Sequence, residues 1–257
     1  MFFLISKEER KIRKAISNIK SFLIGELKNK GMLSLLLVGT IISKKERNKT
    51  SDIDFFAIVE DDFDFGLEEV INEKLDESMQ DICLGFEARI RCFHIDFLKG
   101  GKTKTRAQEF VPAARLVQRL PFYKVVWGRK FNYKQEFVNP MNLEDEARLL
   151  IKQTTDSIFG IRQDKYWTSL HNFYKLVVEL VRVEAQLYKG FKYHPDRHKL
   201  VNFLKREEQH ILHKAMKLRN EFENKSKEEI RKDTLELCDE VESYIEIFNS
   251  LLDKNHV

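Results

Sequence analysis

Two short, continuous apolar runs in the first half of the chain constrain its fold more than any other feature. They read LSLLLVG at residues 33–39 and IDFFAIV at residues 53–59, and each has the length of a strand inside a sheet. A third run, ARIRCFHIDFL at residues 88–98, predicts another strand, and the charged segment at 67–81 has apolar residues at helical spacing. The order strand, strand, helix, strand predicts helices layered on a sheet.

Helical patterns precede and follow these strands. Ser6, with Glu9 three residues later, forms a capping-box pattern in front of apolar residues at helical spacing. Near residue 142, an asparagine followed by three acidic residues marks another helix start. From there the chain shows only helical patterns, which run through residues 166–189, 196–223 and 226–253. The second half is therefore predicted to be a bundle of helices.

These patterns divide the chain into two predicted domains. Residues 1–135 hold the sheet with its helices, and residues 136–257 form an all-α bundle. The fold class that we predict is α+β, with the sheet domain first and the helical bundle domain second.

Charge, cysteine content and hydropathy indicate the kind of partner and the cellular compartment to expect. The 45 lysines and arginines against 41 acidic residues give a net charge of only +4, which does not indicate nucleic acid. The three cysteines have neither disulfide-framework nor zinc-site spacing, which fits a reducing compartment. No run approaches the roughly 20 apolar residues that a membrane span needs. We therefore expect a cytoplasmic protein without a membrane partner.

Two aspartates stand one residue apart at the head of the second apolar run. Asp52 and Asp54 are at positions i and i+2 of a predicted strand, so their side chains point to the same face. Burying one ionised carboxylate costs several kcal/mol unless a partner compensates it, and here two lie together. Oxygen-rich pairs of this kind suit Mg²⁺ or Mn²⁺.

Further residues could complete a site around this pair. Gly39 and Thr40 follow the first strand, where a glycine turn lets backbone N–H groups approach phosphate oxygens and a hydroxyl adds a donor. Asp96, late in the third predicted strand, is our candidate for a third carboxylate, with His94 on its face. Three carboxylates would hold two metal ions, one activating an attacking hydroxyl and one steadying a leaving phosphate.

The run LLLVGT, followed thirteen residues after Gly39 by SDIDFFAIV, resembles the signature of the nucleotidyltransferase superfamily related to DNA polymerase beta. The resemblance covers about the first hundred residues, and the helical second half is similar in layout to the minimal and aminoglycoside-type members. It implies a mixed sheet, two divalent metal ions and a nucleoside triphosphate. It also implies transfer of a nucleotidyl group to an acceptor hydroxyl with release of pyrophosphate, the acceptor being closed in by the helical domain.

Carried over by motif, the resemblance assigns Asp52, Asp54 and Asp96 to catalysis and metal binding. It assigns nucleotide binding to Gly39, Thr40, Ser51 and Lys44. Two departures stand out. Thr40 replaces the usual serine, and the second glycine of the family is missing from the segment IISKKER. Lys44 and its basic neighbours could offset triphosphate charge, although a solvated basic loop explains them equally well.

The predicted helix at 166–189 carries candidate residues for binding the acceptor. A narrow polar stripe along it includes Lys175, Glu179 and Arg182. Glu179 could take the acceptor's proton or bind a cationic acceptor, whereas the alternative is an ordinary charge ladder along one helix face. Lys199, downstream of the segment YHPDRH, is the second acceptor candidate.

The sequence thus predicts a metal-dependent nucleotidyltransferase. The acceptor stays open, and a small molecule or a protein side chain is favoured over a nucleic-acid end. A homodimer is compatible with the sequence. The competing hypothesis is a catalytically idle nucleotide-binding or partner-binding module that keeps the same fold. The missing second glycine is compatible with this hypothesis, whereas the presence of three carboxylates argues against it.

Overall fold

The structure is a computed structural model. It describes residues 6–42, 52–100, 113–137, 142–163, 170–207, 210–221 and 224–254. The predicted site residues Lys44 and Ser51 lie outside these ranges. The chain divides into two compact units, Met1–Pro140 and Met141–Val257.

In its described part, the first unit is built on a four-stranded mixed sheet. Its strands are β1 (Met32–Val38), β2 (Ile53–Val59), β3 (Ala88–His94) and β4 (Lys124–Gly128), in the spatial order β3-β2-β1-β4. Strand β1 pairs antiparallel with β2 and β4, whereas β2 and β3 run parallel. This mixed sheet confirms the predicted fold class.

Two helices cover one face of the sheet. Helix α1 (Lys7–Leu27) begins as the capping box predicts, because the Ser6 side chain accepts a hydrogen bond from the Glu9 N–H at 3.1 Å. Helix α2 (Gly66–Glu77) joins β2 to β3, also as predicted. Between these helices and the sheet lies a core of aliphatic and aromatic side chains, among them Ile19, Leu37 and Phe55.

A second core lies on the other face of the sheet. Shorter helices follow the strands along the chain. They are α3 (Ile95–Leu98), α4 (Ala113–Arg119) and α5 (Tyr133–Glu136). The second core includes Leu36 and Ile58 from the sheet and Phe97 from α3. Alternation along β1 and β2 thus sends successive side chains into two separate cores.

Strand β4 is a difference from the sequence prediction. Its five residues, KVVWG, are short and only partly buried, so they give a weak apolar signal. Gly128 ends the strand with φ at +82°, and a β-carbon there would lie 2.3 Å from the carbonyl oxygen of Leu33. The β1–β4 register shifts between Leu35 and Leu36. A glycine is required where the two backbones come this close.

Helix α2 also protects the edge of the sheet. Strand β3 is an edge strand, and the Asn72 side chain accepts a hydrogen bond from the Ile90 N–H at 2.9 Å and donates one to the Ile90 carbonyl at 3.0 Å. One turn earlier, Glu68 accepts a hydrogen bond from the Cys92 N–H at 2.6 Å. Side chains therefore satisfy backbone groups that a further strand would otherwise pair.

The second unit consists of helices in its described part. They are α6 (Leu143–Arg162), α7 (Leu170–Tyr188), α8 (Arg197–Phe203), α9 (Ile211–Glu221) and α10 (Lys227–Lys254). Asn142 caps α6, since its side chain accepts a hydrogen bond from the Glu144 N–H at 3.0 Å. Many side chains of α7 are fully buried, including Phe173, Val177 and Val181. Helix α7 is therefore a central element of this core.

The predicted helix at 196–223 is two helices in the structure. Helix α8 ends in a turn at Leu204, and α9 begins after His210, whose Nδ1 accepts a hydrogen bond from the Leu212 N–H at 3.2 Å. This side-chain bond satisfies one backbone donor at the start of α9. No helix within the described ranges is both long and apolar enough to cross a bilayer.

Candidate active site

Asp52 and Asp54 lie where β2 begins. Asp52 directly precedes the strand and is exposed, and Asp54 is its second residue and half-buried. Because alternate residues of a strand face the same side, both side chains lie on one face of the sheet. It is the face of Val38, which pairs with Asp54, and not the face that packs on α1. The predicted pairing of the two carboxylates on one face therefore agrees with the strand geometry.

The turn after β1 contacts this pair. Gly39 has φ at +79°, and a β-carbon built on it would lie 3.4 Å from Oδ2 of Asp54. Thr40 begins a 3₁₀ turn that ends at Ile42, whose N–H donates to the Gly39 carbonyl at 3.3 Å. The left-handed backbone favours glycine, and the missing side chain leaves space beside the Asp54 carboxylate.

Glu87 is a neighbour of this pair that the sequence patterns did not identify. In the parallel ladder Ile53 pairs with Ala88, and the Ile53 N–H donates to the Glu87 carbonyl at 2.8 Å. The register therefore sets Glu87 opposite Asp52, at about the 4.8 Å spacing of adjacent strands. Glu87 is exposed and two residues before Arg89, which pairs with Asp54. Alternation thus assigns Glu87 to the same face as both aspartates.

The charges at this end of the sheet act on Arg89. The hydrogen bond that its guanidinium donates to Asp76 raises the pKa of Arg89, and the negative charges of Asp76, Glu87 and Asp52 raise it further. Arg89 is therefore close enough to Asp52 and Glu87 for their charges to reach it. A permanent positive charge here offsets part of the repulsion among the carboxylates.

Asp96 does not lie beside this pair in the structure, although the sequence analysis proposed it as the third carboxylate. Strand β3 ends at His94, and Asp96 belongs to the short helix α3, where its N–H donates to Asp61 Oδ1 at 2.9 Å. Because β3 runs parallel to β2, His94 pairs with Val59, five residues beyond Asp54. About 17 Å of strand thus separates Asp54 from the end of the sheet that Asp96 follows.

His94, expected beside Asp96, is part of the packing at that end of the sheet. Its side chain is 2% exposed, and its ring stacks on Phe65 with a centroid distance of 4.5 Å. Its Nδ1 lies 3.9 Å from Oδ1 of Asp61. These contacts fit a histidine packed in the protein interior better than one that binds a metal ion beside Asp52 and Asp54.

One acceptor candidate of the second unit, Glu179, contacts a buried arginine. Glu179 forms an ion pair with Arg182, which is 2% exposed and also donates to the Pro195 carbonyl at 3.2 Å. Burial lowers the pKa of His194, and the positive charges of Lys199 and Arg182 lower it further. Glu179 thus pairs with Arg182, and the charges of both Arg182 and Lys199 act on His194. The Glu179–Arg182 pair is the contact that the charge-ladder alternative predicted.

Carboxylates are the donor groups that could hold a metal ion at this site. Within the described ranges, no group of three or more histidine, cysteine, aspartate or glutamate side chains is arranged to hold a metal ion. The chemistry that fits a hard divalent cation is the carboxylate pair Asp52 and Asp54, with Glu87 as its neighbour across the ladder. All three cysteines are buried and free of disulfides.

Comparisons with known proteins agree with this fold. No protein-family model matches the sequence, and no curated protein is detectably similar to it in sequence. The structure is similar to that of the spectinomycin adenyltransferase AAD(9) from Enterococcus faecialis, solved with ATP and spectinomycin. The TM-score is 0.58 at 12% sequence identity, over 88% of this chain and 98% of that one. The chain therefore shares its fold with this adenyltransferase, in agreement with the resemblance based on Gly39 and the Asp-x-Asp pattern.

Proposed function

We propose that the chain is a nucleotidyltransferase that moves a nucleoside monophosphate group from a nucleoside triphosphate to a hydroxyl of a small-molecule acceptor. The observation that carries this proposal is the sheet register, which supports a set of three carboxylates, Asp52, Asp54 and Glu87, beside the Gly39 turn. The fold neighbour was solved with ATP and spectinomycin, which favours a triphosphate donor and a small acceptor rich in hydroxyl groups.

Asp52 and Asp54 are the residues that would hold divalent metal ions, with Mg²⁺ or Mn²⁺ as the ions that suit carboxylate ligands. Such ions, when bound, neutralise phosphate charge and lower the pKa of an acceptor hydroxyl. Gly39 and Thr40 are proposed to direct backbone N–H groups toward the phosphates. Ser51 and Lys44 stay predicted contributors to the same subsite.

Glu87 is proposed as the third carboxylate in place of Asp96, with a different role, since the sequence analysis expected Asp96 to help hold a metal ion. As a carboxylate beside the pair, it would accept the proton of the acceptor hydroxyl while the hydroxyl oxygen bonds to the α-phosphorus. The bond from the α-phosphorus to the oxygen bridging to the β-phosphate breaks, and pyrophosphate leaves with that electron pair. Orienting these groups and offsetting charge are the protein's main contributions to such a reaction.

The two units would divide this work. The first unit, with the carboxylates, is proposed to bind the triphosphate and to carry out the transfer. The helical unit is proposed to bind the acceptor, with Glu179 and Lys199 as the candidate residues. Their closeness to Arg182 and His194 supports a polar binding region in that unit.

The test combines binding and turnover. Calorimetric titration of ATP, GTP, CTP and UTP with Mg²⁺ or Mn²⁺ measures the donor step, and pyrophosphate release with spectinomycin as the first acceptor measures transfer. Asp54→Asn should abolish metal-dependent triphosphate binding. Glu87→Gln should retain binding but lower turnover about 100-fold or more, the size of a general-base contribution. Asp96→Asn is the matched control and should behave like the native chain.

Three results would contradict these assignments. Loss of turnover in Asp96→Asn with full activity in Glu87→Gln would return the third carboxylate to Asp96. Triphosphate binding without turnover on any of a panel of hydroxyl acceptors would favour the idle nucleotide-binding module. Equal binding by the native chain and Asp54→Asn would refute the proposed donor site.

A further inference from the structure

A groove of about 610 Å³ lies between helix α1 and the β1–β4 side of the sheet. We call it the α1–β4 groove, and it is lined by residues of α1, by Leu37, by Ile41 and Ile42, and by residues 124–126. Leu37 belongs to the core under α1, whereas Asp54 pairs with Val38 on the opposite face of the sheet. Most of the groove thus lies on the opposite face of the sheet from Asp54, and it meets the proposed donor site at the turn that follows Gly39. Its volume falls in the range of small-molecule sites.

Branched aliphatic side chains form much of the groove. Leu37 and Ile41 are buried, and Ile16, Ile42 and Val126 are half-buried there. No aromatic side chain is among the described residues that line the groove. A nucleotide base would therefore have no ring on which to stack, whereas an alkyl chain would find a matching apolar surface.

The polar part of the groove is predominantly cationic. Arg13, Lys20 and Lys124 line it together with a single acid, Glu9, whose Oε1 already pairs with Nε of Arg13 at 2.9 Å. Within the part of the chain that the structure describes, neither Lys20 nor Lys124 forms an ion pair with a carboxylate. Two positive charges are therefore left to attract an anion next to the aliphatic surface.

We propose that the α1–β4 groove is a binding site for an amphipathic anion. Its occupant has an alkyl body that packs on Ile16, Leu37 and Val126, and a carboxylate or phosphate head held by Lys20 and Lys124. This site goes beyond the proposed nucleotidyl transfer and does not depend on it. Because the groove also touches the turn that follows Gly39, its occupant would contact the same segment that contacts Asp54.

Decanoate and 1-decanol are suitable probes, since they share an alkyl chain and differ in head-group charge. Titration calorimetry on the full chain, below the micellar concentration, should show decanoate binding at least about tenfold more tightly than decanol, the size expected for a charge-assisted contact. Lys20→Gln/Lys124→Gln should remove this preference. Lys14→Gln/Lys130→Gln changes two exposed lysines that do not line the groove, so it is the matched control and should bind like the native chain.

A second variant tests occupancy of the groove itself. Ser17 lines it and is exposed, so Ser17→Phe should fill the groove without disturbing a core and abolish binding of both probes. Equal affinity for decanoate and decanol, or equal weakening by both lysine pairs, would overturn the proposal. Competition by ATP with Mg²⁺ would overturn it as well, because the groove would then belong to the donor site. Asp54→Asn should leave decanoate binding unchanged, which separates a failure here from a failure of the proposed transferase.

Discussion

A β-carbon on Gly39 would lie 3.4 Å from Oδ2 of Asp54, so the turn after β1 and the second aspartate of the Asp-x-Asp pair are in direct contact distance. The missing second glycine of the superfamily pattern left the geometry of this turn open. In the structure Gly39, with φ at +79°, turns the chain directly after β1, and most of the segment IISKKER lies outside the described residues. The turn and the aspartates are thus one local assembly.

Gly39→Ala should therefore impair both stability and donor binding. Alanine in the left-handed region costs about 1–2 kcal/mol, and its methyl group occupies the space beside the Asp54 carboxylate. We expect a lower free energy of unfolding and weaker triphosphate binding, measured by urea unfolding and calorimetry. Gly25→Ala is the control, since nothing lies within 4 Å of its β-carbon position on α1, and it should gain up to about 1 kcal/mol. Native-like stability of Gly39→Ala would mean that the turn can relax.

Gly128 gives a sharper prediction, because steric overlap adds to backbone strain. Its β-carbon would lie 2.3 Å from the Leu33 carbonyl oxygen, so Gly128→Ala should cost about 3 to 5 kcal/mol and loosen β4 from β1. Gly190→Ala separates the two effects, since Gly190 has φ at +72° with nothing within 4 Å. It should lose only about 1–2 kcal/mol in urea unfolding. Similar losses in both variants would argue against the close β1–β4 approach.

The local part of this structure was predictable from sequence. Ser6 and Asn142 cap helices as their patterns indicated, because a cap depends on residues only two or three positions apart. Strand β2 was likewise predictable from neighbouring residues, namely its own apolar run and the two aspartates at its start. Strand β4 was missed because a five-residue, half-buried strand is held by its long-range pairing with β1 rather than by its own apolar pattern.

The position of Asp96 in the structure differs from the one expected from the sequence for another reason. Glu87 and Asp96 are acids near the two ends of β3, and no local pattern says which end lies beside Asp54. The predicted helix between the second and third strands did contain that information. A crossover helix implies parallel strands, so the start of β3 must lie beside the start of β2. Applied to the sequence, this rule favours Glu87, the residue proposed above, over Asp96.

Asn72→Ala should destabilise the first unit by about 2–3 kcal/mol. The Asn72 side chain satisfies both the N–H and the carbonyl of Ile90 on an edge strand, and alanine leaves both backbone groups to find other partners. Urea unfolding measures the loss. Glu73→Ala, at an exposed position one residue further along α2, is the control and should change stability by less than about 0.5 kcal/mol. Equal free energies of unfolding in the two variants would mean that water replaces the Asn72 side chain as the hydrogen-bond partner of Ile90 without loss of stability.

The buried Glu184 in the helical unit gives a pH-dependent prediction. It is 7% exposed, accepts a hydrogen bond from the Tyr244 hydroxyl at 2.9 Å, and lies 3.4 Å from Lys189 Nζ and 3.6 Å from His210 Nε2. Burial alone would raise the pKa of Glu184, but His210, Lys189 and Tyr244 outweigh it and lower the pKa below its ordinary value of 4.5. The ionised carboxylate therefore stabilises the folded unit.

The pKa of Glu184 is lower in the folded state than in the unfolded state. The free energy that its ionised carboxylate adds to the stability of the folded chain is therefore fully present above pH 4.5 and is lost as the pH falls through the folded-state pKa. Glu184→Gln should therefore be about 1–3 kcal/mol less stable than the native chain at pH 7, the cost of leaving buried partners of a charged group poorly satisfied. Urea unfolding from pH 7 down to pH 3 should show this difference shrinking only below pH 4.5. Glu236→Gln, at an exposed position on α10, should show no such difference, and a pH-independent loss in Glu184→Gln would mean that packing rather than charge holds Glu184.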